Sequence, residues 1–196
     1  DLHSFPTRRS SDLQLVIIDC AKFEKEAAMQ VASLMGSAAR TAPKVCGEDS
    51  ITVKILEGRD LKHLADEAVA IGEKAGISFF VRDGEILRNC HCALLLGVDN
   101  VPLGLQDCGY CGFKDCGQCT KAGGHCALKL ADLGIALGSA VSIAADYRID
   151  NRIAYSLGKA AISLGLFPER VTNAYVVPLS ISGKNVFFDR ETVQQK

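Results

Sequence analysis

The sequence lacks the features that mark several large classes of protein. Its formal net charge is −1, so it has no basic surplus that would indicate a nucleic acid or an anionic membrane as a partner. No apolar run approaches the roughly 20 residues that cross a bilayer. It contains no Ser-His-Asp order, Walker loop or His-Glu-x-x-His helix. We therefore expect neither nucleic-acid binding, nor membrane insertion, nor hydrolase chemistry.

Length and composition predict one soluble domain. The chain has 196 residues, of which 48% are hydrophobic and 23% charged, which is an ordinary globular composition. Residues 1–13 have no periodicity and resemble a translated sequencing-adapter read-through, so they are excluded from the fold and their Arg and Ser residues are not counted as a phosphate-binding motif. The expected organisation is a single α+β domain over residues 14–196.

Cysteine, by contrast, is abundant. The chain has nine, and five of them fall within the nineteen residues from Cys108 to Cys126. Neither core packing nor an even disulfide framework explains such a density. An odd count without a secretory signal indicates a reducing cytoplasm, where thiolates stay available to a metal. We predict a cytoplasmic protein with a metal site in this stretch.

The spacing of these cysteines narrows the choice of metal. Zinc sites usually combine two ligand pairs a dozen or more residues apart, whereas the pairs Cys108/Cys111 and Cys116/Cys119 are separated by only four residues. Compact thiolate runs favour an iron–sulfur cluster, which needs tight turns with backbone N–H groups near its sulfurs. A glycine directly follows three of the four cysteines and supplies that backbone freedom. A zinc site and a structural or thiol-redox role are the alternatives.

The cysteine motif carries a resemblance to known proteins. The pattern C-x2-C-G-x3-C with a later cysteine is similar to the small 4Fe-4S domain of corrinoid iron–sulfur proteins and related electron carriers. A longer series of segments resembles the "ferredoxin domain-containing" proteins of bacteria and archaea. Those segments are residues 107–113, 126–141, 150–152 and 182–190. The resemblance implies a 4Fe-4S cluster, and it points to no substrate.

Five cysteines compete for the four corners of such a cluster. Cys108, Cys111 and Cys116 match the motif of the resembled proteins, which also place a cysteine at the position of Cys126. Cys126 begins a long predicted helix, so it approaches from a separate direction, and the free N–H groups of a helix N-terminus favour a thiolate there. We predict Cys108, Cys111, Cys116 and Cys126 as the ligands and Cys119 as a nearby spare thiol.

Periodicity predicts a mixture of helices and strands without regular βαβ alternation, which is typical of an α+β domain. Helices are expected over about 19–41, 60–76, 126–144 and 151–164, and strands over about 51–56, 93–98 and 171–179. The first helix should bury a stripe that includes Phe23 and Leu34, and Asp150 should cap the last helix. The helix from Cys126 is nearly apolar all round, which predicts that it is buried.

The remaining cysteines have a simpler expected role. Cys90 and Cys92 stand directly before a predicted buried strand, and Cys20 and Cys46 are isolated beside apolar segments. Free cysteine is among the most buried residue types. All four are therefore expected to pack as small hydrophobic side chains.

A second resemblance concerns the fold. Segments 38–44, 60–66 and 164–168, in this order along the chain, are similar to the flavin-binding nitroreductase fold. This similarity implies an α+β, nitroreductase-like mixed sheet with a buried central helix and an inserted cysteine-rich iron–sulfur loop over residues 104–127. The Arg-rich phosphate motif of that family is absent from residues 14–196. If FMN is bound, Lys184 and Arg190 are the candidate phosphate partners.

These observations combine into one leading hypothesis. We expect a 4Fe-4S protein that transfers single electrons to or from a partner protein or a small redox molecule. The alternatives are an FMN-dependent oxidoreductase fed by the cluster and a structural zinc protein. A buried helix as apolar as the one from Cys126 also predicts a homodimer. The sequence assigns no catalytic residue.

Overall fold

The computed structural model describes residues 17–188. Residues 1–13 and Arg190 lie outside this part, and the expected single domain over 14–196 stays a prediction. In chain order the elements are α1 (Cys20–Thr41), β1 (Ile51–Glu57), α2 (Gly58–Ala75), α3 (Ser78–Leu87), β2 (Cys92–Asp99), α4 (Cys116–Lys121), α5 (Ala127–Asp146), β3 (Asp150–Asn151), α6 (Tyr155–Ser163) and β4 (Val171–Ser180). The α+β class is confirmed.

The four described strands form one sheet in the order β1-β2-β4-β3. Every pairing is antiparallel: Leu94 of β2 lies opposite Ile55 on one side and Val177 on the other, and Asp150 of β3 lies opposite Ser180. A mixed sheet was expected, but among residues 17–188 every two neighbouring strands run antiparallel. Strands β2 and β3 run in the same direction, but β4 lies between them.

Helices cover both faces of the sheet, which explains why the central strand β2 is an almost continuous apolar run. Leu94 and Leu96 face α1 and α5, whereas Ala93 and Leu95 face α2, α3 and α6. The molecule thus has two hydrophobic cores separated by the sheet.

The apolar stripe of α1 differs from the predicted one. Phe23 and Leu34 are about half exposed. Val31, which belongs to the predicted stripe, is buried, and the helix buries Met35 and three alanines beside it. Small side chains let the backbones of α1 and α5 approach closely. The alanine-rich side of α1 therefore packs into the core, and its larger side chains turn outward.

Helix α5 is buried on one side only. Its inner face includes two charged residues with partners: Lys129 Nζ donates to Glu48 Oε1 at 2.9 Å, and Asp132 accepts the backbone N–H of Val45 at 3.0 Å. Its outer face is apolar and exposed, against the prediction that the helix is buried all round. By length and composition α5 could cross a membrane, but a core helix of a soluble protein passes the same test.

The predicted start of the last helix is wrong. Asp150 and Asn151 do not cap it; they form β3 opposite Ser180 and Leu179, and the helix begins only at Tyr155. Pairing with the end of β4 satisfies their backbone groups, so the local capping signal is overridden by a contact that is distant in sequence.

Two of the four isolated cysteines behave as predicted. Cys90 and Cys92 are buried in the two cores. Burial raises the pKa of each thiol to about 12, with smaller contributions from the neighbouring Cys92 thiol for Cys90 and from Glu57 for Cys92. Cys20 and Cys46 are exposed, so the packing prediction is wrong for them. They lie at the first residue of α1 and in a surface turn, where little covers them.

The contact between α6 and β4 provides a test of this packing. A Cβ added at Gly158 would lie 1.9 Å from the carbonyl oxygen of Ala174, which is backbone and cannot turn aside. We expect Gly158→Ala to lower the free energy of unfolding by about 1–3 kcal/mol or more, as measured by urea denaturation. Gly36→Ala is the control, because its Cβ would make ordinary contacts at 3.7 Å and alanine favours the helix by about 1 kcal/mol. Equal stability of the two variants would contradict the described contact.

Candidate metal centre

The cysteine-rich segment is a long loop that leaves the end of β2 and returns at the start of α5. Within it Gly109 and Gly112 have φ angles of 56° and 84°, which favour glycine, so these two turns use the predicted backbone freedom. Gly117 lies inside the short helix α4 instead. Asp115 caps α4 by accepting the backbone N–H of Gln118 at 2.8 Å. The cap fixes the direction in which α4 presents its cysteines.

All five cysteines of the segment line one cavity between this loop and the first turn of α5. The predicted ligands Cys108, Cys111, Cys116 and Cys126 are therefore brought together, and Cys119 is brought there with them. Cys119 and Cys126 are 1% and 8% exposed, so the predicted spare thiol is at least as well enclosed as the predicted fourth ligand. The assignment of four ligands stays a prediction.

The rest of the cavity wall is mostly apolar, with side chains from the loop and the first turn of α5: Pro102, Leu105, Tyr110, Phe113, Ala127 and Leu128. Asp115 also reaches the wall, but its carboxylate is engaged in the cap of α4. A Cβ at Gly124 would lie 2.8 Å from the Phe113 ring and 3.0 Å from Cys119 Sγ. Glycine at this position therefore leaves room for both the ring and the thiol.

The thiols influence one another. Burial raises the pKa of the Cys119 thiol, and a hydrogen bond to Cys111 together with the nearby thiols of Cys111, Cys126 and Cys116 raises it further. A metal or cluster that binds here must therefore displace a tightly held proton from Cys119 if this residue becomes a ligand.

The donor set is all sulfur. The two histidines near the cysteines in sequence have other neighbours: the ring of His91 contacts the carbonyl of Ile181 at 2.9 Å, and His125 lies 3.5 Å from the hydroxyl of Thr172. Soft thiolates select iron–sulfur clusters, zinc or Cu(I). The residues present therefore fit an iron–sulfur cluster by their chemistry.

The spacing of the thiols is the second criterion. The space open to water between them is about 20 Å³, room for about one water molecule. Within residues 17–188 no three His, Cys, Asp or Glu side chains form a group that could hold a metal ion as they stand. Tetrahedral zinc would need its sulfurs about 3.8 Å apart, given a Zn–S bond of about 2.3 Å. The structure thus contains no preformed zinc site in the part it describes.

The candidate flavin residues lie elsewhere. Lys184 is exposed in a turn, where its N–H donates to the hydroxyl of Ser182, and that hydroxyl donates to the Lys184 carbonyl. Arg190 lies outside the described residues. The next residues of this segment border a groove of about 670 Å³, whose lining is Arg82, Glu85, Ile86, Asn89, Arg152, Val186 and Phe187.

The two arginines of this groove were not singled out from the sequence. Arg152 makes no ion pair within residues 17–188, whereas Arg82 donates twice to Asp83 Oδ1, at 2.8 and 2.9 Å. Asp83 also accepts the hydroxyl of the buried Ser156 at 2.5 Å, which holds α3 against α6. A signal for Arg152 was present, because it belongs to one of the segments that resemble the ferredoxin domain-containing proteins.

Comparison with solved structures supports the fold prediction. The chain is similar to a nitroreductase with bound FMN from Desulfitobacterium hafniense, with a TM-score of 0.54 and 19% identity over 79% of this chain and 78% of that one. It is also similar to a nitroreductase family protein from Clostridium novyi, with a TM-score of 0.50 and 12% identity over 86% of this chain and 77% of that one. At these identities the likeness shows the fold alone, and the predicted nitroreductase-like fold is confirmed.

Comparison by sequence shows the family. A profile described as "Uncharacterized protein containing a ferredoxin domain (DUF2148)" matches residues 122–190. A protein of Archaeoglobus fulgidus that carries no functional name is 38% identical over 176 residues, which are 86% of this chain and 94% of that protein. The chain therefore belongs to the family of proteins that contain this ferredoxin domain.

Proposed function

We propose that the protein is a cytoplasmic 4Fe-4S protein that transfers single electrons. The observation that carries the proposal is the convergence of five thiols, without a histidine or a free carboxylate, on one cavity with mostly apolar walls. The description of its family as containing a ferredoxin domain supports the same reading. A cluster supplies one-electron chemistry when it is bound.

The residues of the chain have separate roles in this proposal. Four of the five cysteines hold the cluster, and the turns at Gly109 and Gly112 give the loop the tight curvature that lets its cysteines face one cavity. The apolar wall limits the access of water, which tunes the reduction potential. Tyr110, between two of the ligands, is 76% exposed, so this side of the loop faces solvent. A redox partner can therefore approach the cluster closely from the side of Tyr110.

A flavin-dependent oxidoreductase fed by the cluster is the second candidate function. It is favoured by the groove of about 670 Å³, in which Arg152 and Arg82 offer cations for a phosphate and Phe187 offers an aromatic wall. The adjoining turn carries Lys184, the predicted phosphate partner. The similar nitroreductase of D. hafniense binds FMN.

The metal content is the first test. Protein purified without oxygen should be brown and contain about four iron and four acid-labile sulfide ions per chain, as a cubane cluster requires. Stoichiometric zinc without sulfide would replace the proposal by the structural zinc alternative. Visible flavin absorption that survives removal of the iron by a chelator would establish the second candidate, and its absence after incubation with FMN would exclude it.

Single substitutions test which thiols are ligands. We expect Cys126→Ala to abolish cluster incorporation and Cys119→Ala to leave iron and sulfide largely unchanged, because Cys126 approaches from α5 and Cys119 from the same loop as the other ligands. Cys20→Ala is the control, since Cys20 is exposed and remote in sequence. Loss of the cluster in Cys119→Ala with retention in Cys126→Ala would exchange the two residues in the ligand set.

We also propose that two copies of the chain associate through the outer face of α5. This face consists of small or apolar exposed residues, among them Ala131, Gly134, Ile135 and Gly138. Apart from the neighbouring residues and the backbone of α5 itself, no atom of the described chain lies within 4 Å of a Cβ added at Gly134 or Gly138. No other element of the described protomer therefore packs closely against these glycines. A second copy of the same helix is the partner of matching shape, and two-fold association is the commonest form of oligomer.

The oligomeric state tests this association. Light scattering should give a dimer for the wild type and a monomer for Ile135→Glu, because a carboxylate at the centre of the face would be buried without a partner. Ile153→Glu is the control, since Ile153 is similarly exposed but lies between β3 and α6. A monomeric wild type, or equal dissociation of both variants, would rule out this interface.

A further inference from the structure

Asn100 closes the base of the cysteine loop. It directly follows β2, at the point where the loop leaves the sheet. Its half-buried side chain reaches the segment in which the loop returns to α5. Its Oδ1 accepts the backbone N–H of Cys126 at 2.9 Å, and its Nδ2 donates to the carbonyl oxygen of Gly124 at 3.1 Å. One side chain thus joins the first residue of the loop to two residues at its end.

An amide suits the chemistry of the two contacts. The Cys126 N–H can only donate and the Gly124 carbonyl can only accept, so the bridging group must accept and donate at once. The amide of Asn100 offers an acceptor and a donor on two separate atoms bonded to one carbon, and the two backbone partners also fix which amide atom is the oxygen. A carboxylate would keep the first contact and lose the second.

The bond to Cys126 has a further consequence. Cys126 is the N-cap residue of α5, and its side chain makes no capping hydrogen bond. The orientation of the residue is therefore held by its backbone, through Asn100, while its thiol is left to face the cavity. Asn100 also brings the two ends of the loop together, which lowers the entropy that the loop must lose when a cluster gathers its ligands.

We propose that Asn100 is a positioning residue of the metal centre, which holds Cys126 in place for the cluster without contacting the metal itself. The inference rests on the proposed cluster. The fold itself does not depend on Asn100, because α5 is held by its packing against α1 and the sheet. Loss of the amide should loosen residues 124–126 and leave the rest of α5 in place.

The test compares Asn100→Ala, which loses both hydrogen bonds, with Asn100→Asp, which loses only the bond to Gly124. Gln106→Ala is the matched control, because Gln106 is an exposed amide of the same loop without a hydrogen bond in the described chain. In anaerobically prepared protein, iron release to a chelator should be about tenfold faster in Asn100→Ala, with a smaller change in Asn100→Asp. The electron paramagnetic resonance spectrum of the reduced cluster should change in both variants and remain that of the wild type in Gln106→Ala.

A second measurement tests the hold of Asn100 on Cys126 without the metal. In metal-free protein, mass spectrometry after alkylation should show Cys126 reacting about tenfold faster in Asn100→Ala, while Cys92 stays protected in every variant and the urea midpoint is unchanged. Unchanged iron release and unchanged Cys126 alkylation would overturn the role of Asn100. If the wild type binds no iron and sulfide and Cys126 is still alkylated faster in Asn100→Ala, Asn100 keeps its role as the anchor of Cys126 and the proposed cluster is refuted.

Discussion

The position at which α5 begins is the constraint on which the rest of the structure depends. Cys126 can meet the other thiols only if the first turn of α5 is fixed relative to the sheet. The alanine-rich packing between α1 and α5 fixes the axis of the helix. The buried Lys129 and Asp132, bonded to Glu48 and to the Val45 backbone, fix its rotation one turn later. A buried charge without its partner is expensive, so these contacts leave α5 little freedom to turn.

A structural feature could be predicted from the sequence when the residues that cause it lie close together in the chain. The cysteine cavity was predictable because the spacing of ligands along a loop is local information. The burial of Cys90 and Cys92 could also be predicted from the local sequence, since both stand at the edge of an apolar strand. The exposed Phe23 and Leu34 were not predictable, because the choice of buried face on α1 is made by the small residues of a helix about one hundred residues away. The predicted cap at Asp150 was wrong for the same reason, since Asp150 pairs with Ser180 in β4.

The spacing of the cysteines along the chain does not decide between Cys119 and Cys126 as the fourth ligand. Spacing alone predicts that Cys119 is crowded against its neighbours, yet it is among the most enclosed thiols of the cavity. The cause is the capping contact between Asp115 and Gln118, which starts α4 and turns Cys119 inward one turn later. An aspartate three residues before a glutamine is a capping signal, and here it determines the direction of the Cys119 thiol rather than the stability of a long helix.

The geometry relates the cluster cavity to the arginine-lined groove. The cavity lies beyond Asn100 at the end of β2, whereas Asn89 and Phe187 place the groove near the start of β2 and the end of β4. The eight residues of β2 therefore separate the two sites by roughly 25 Å within one chain. Helix α5 runs over a comparable length, about 30 Å, from Cys126 to the residues that precede β3. Helix α5 and the groove nevertheless lie on opposite faces of the sheet, because Phe187 belongs to the core on the side of α2, α3 and α6, whereas α5 packs in the core on the side of α1. The association proposed through the outer face of α5 would therefore not cover the groove of either copy.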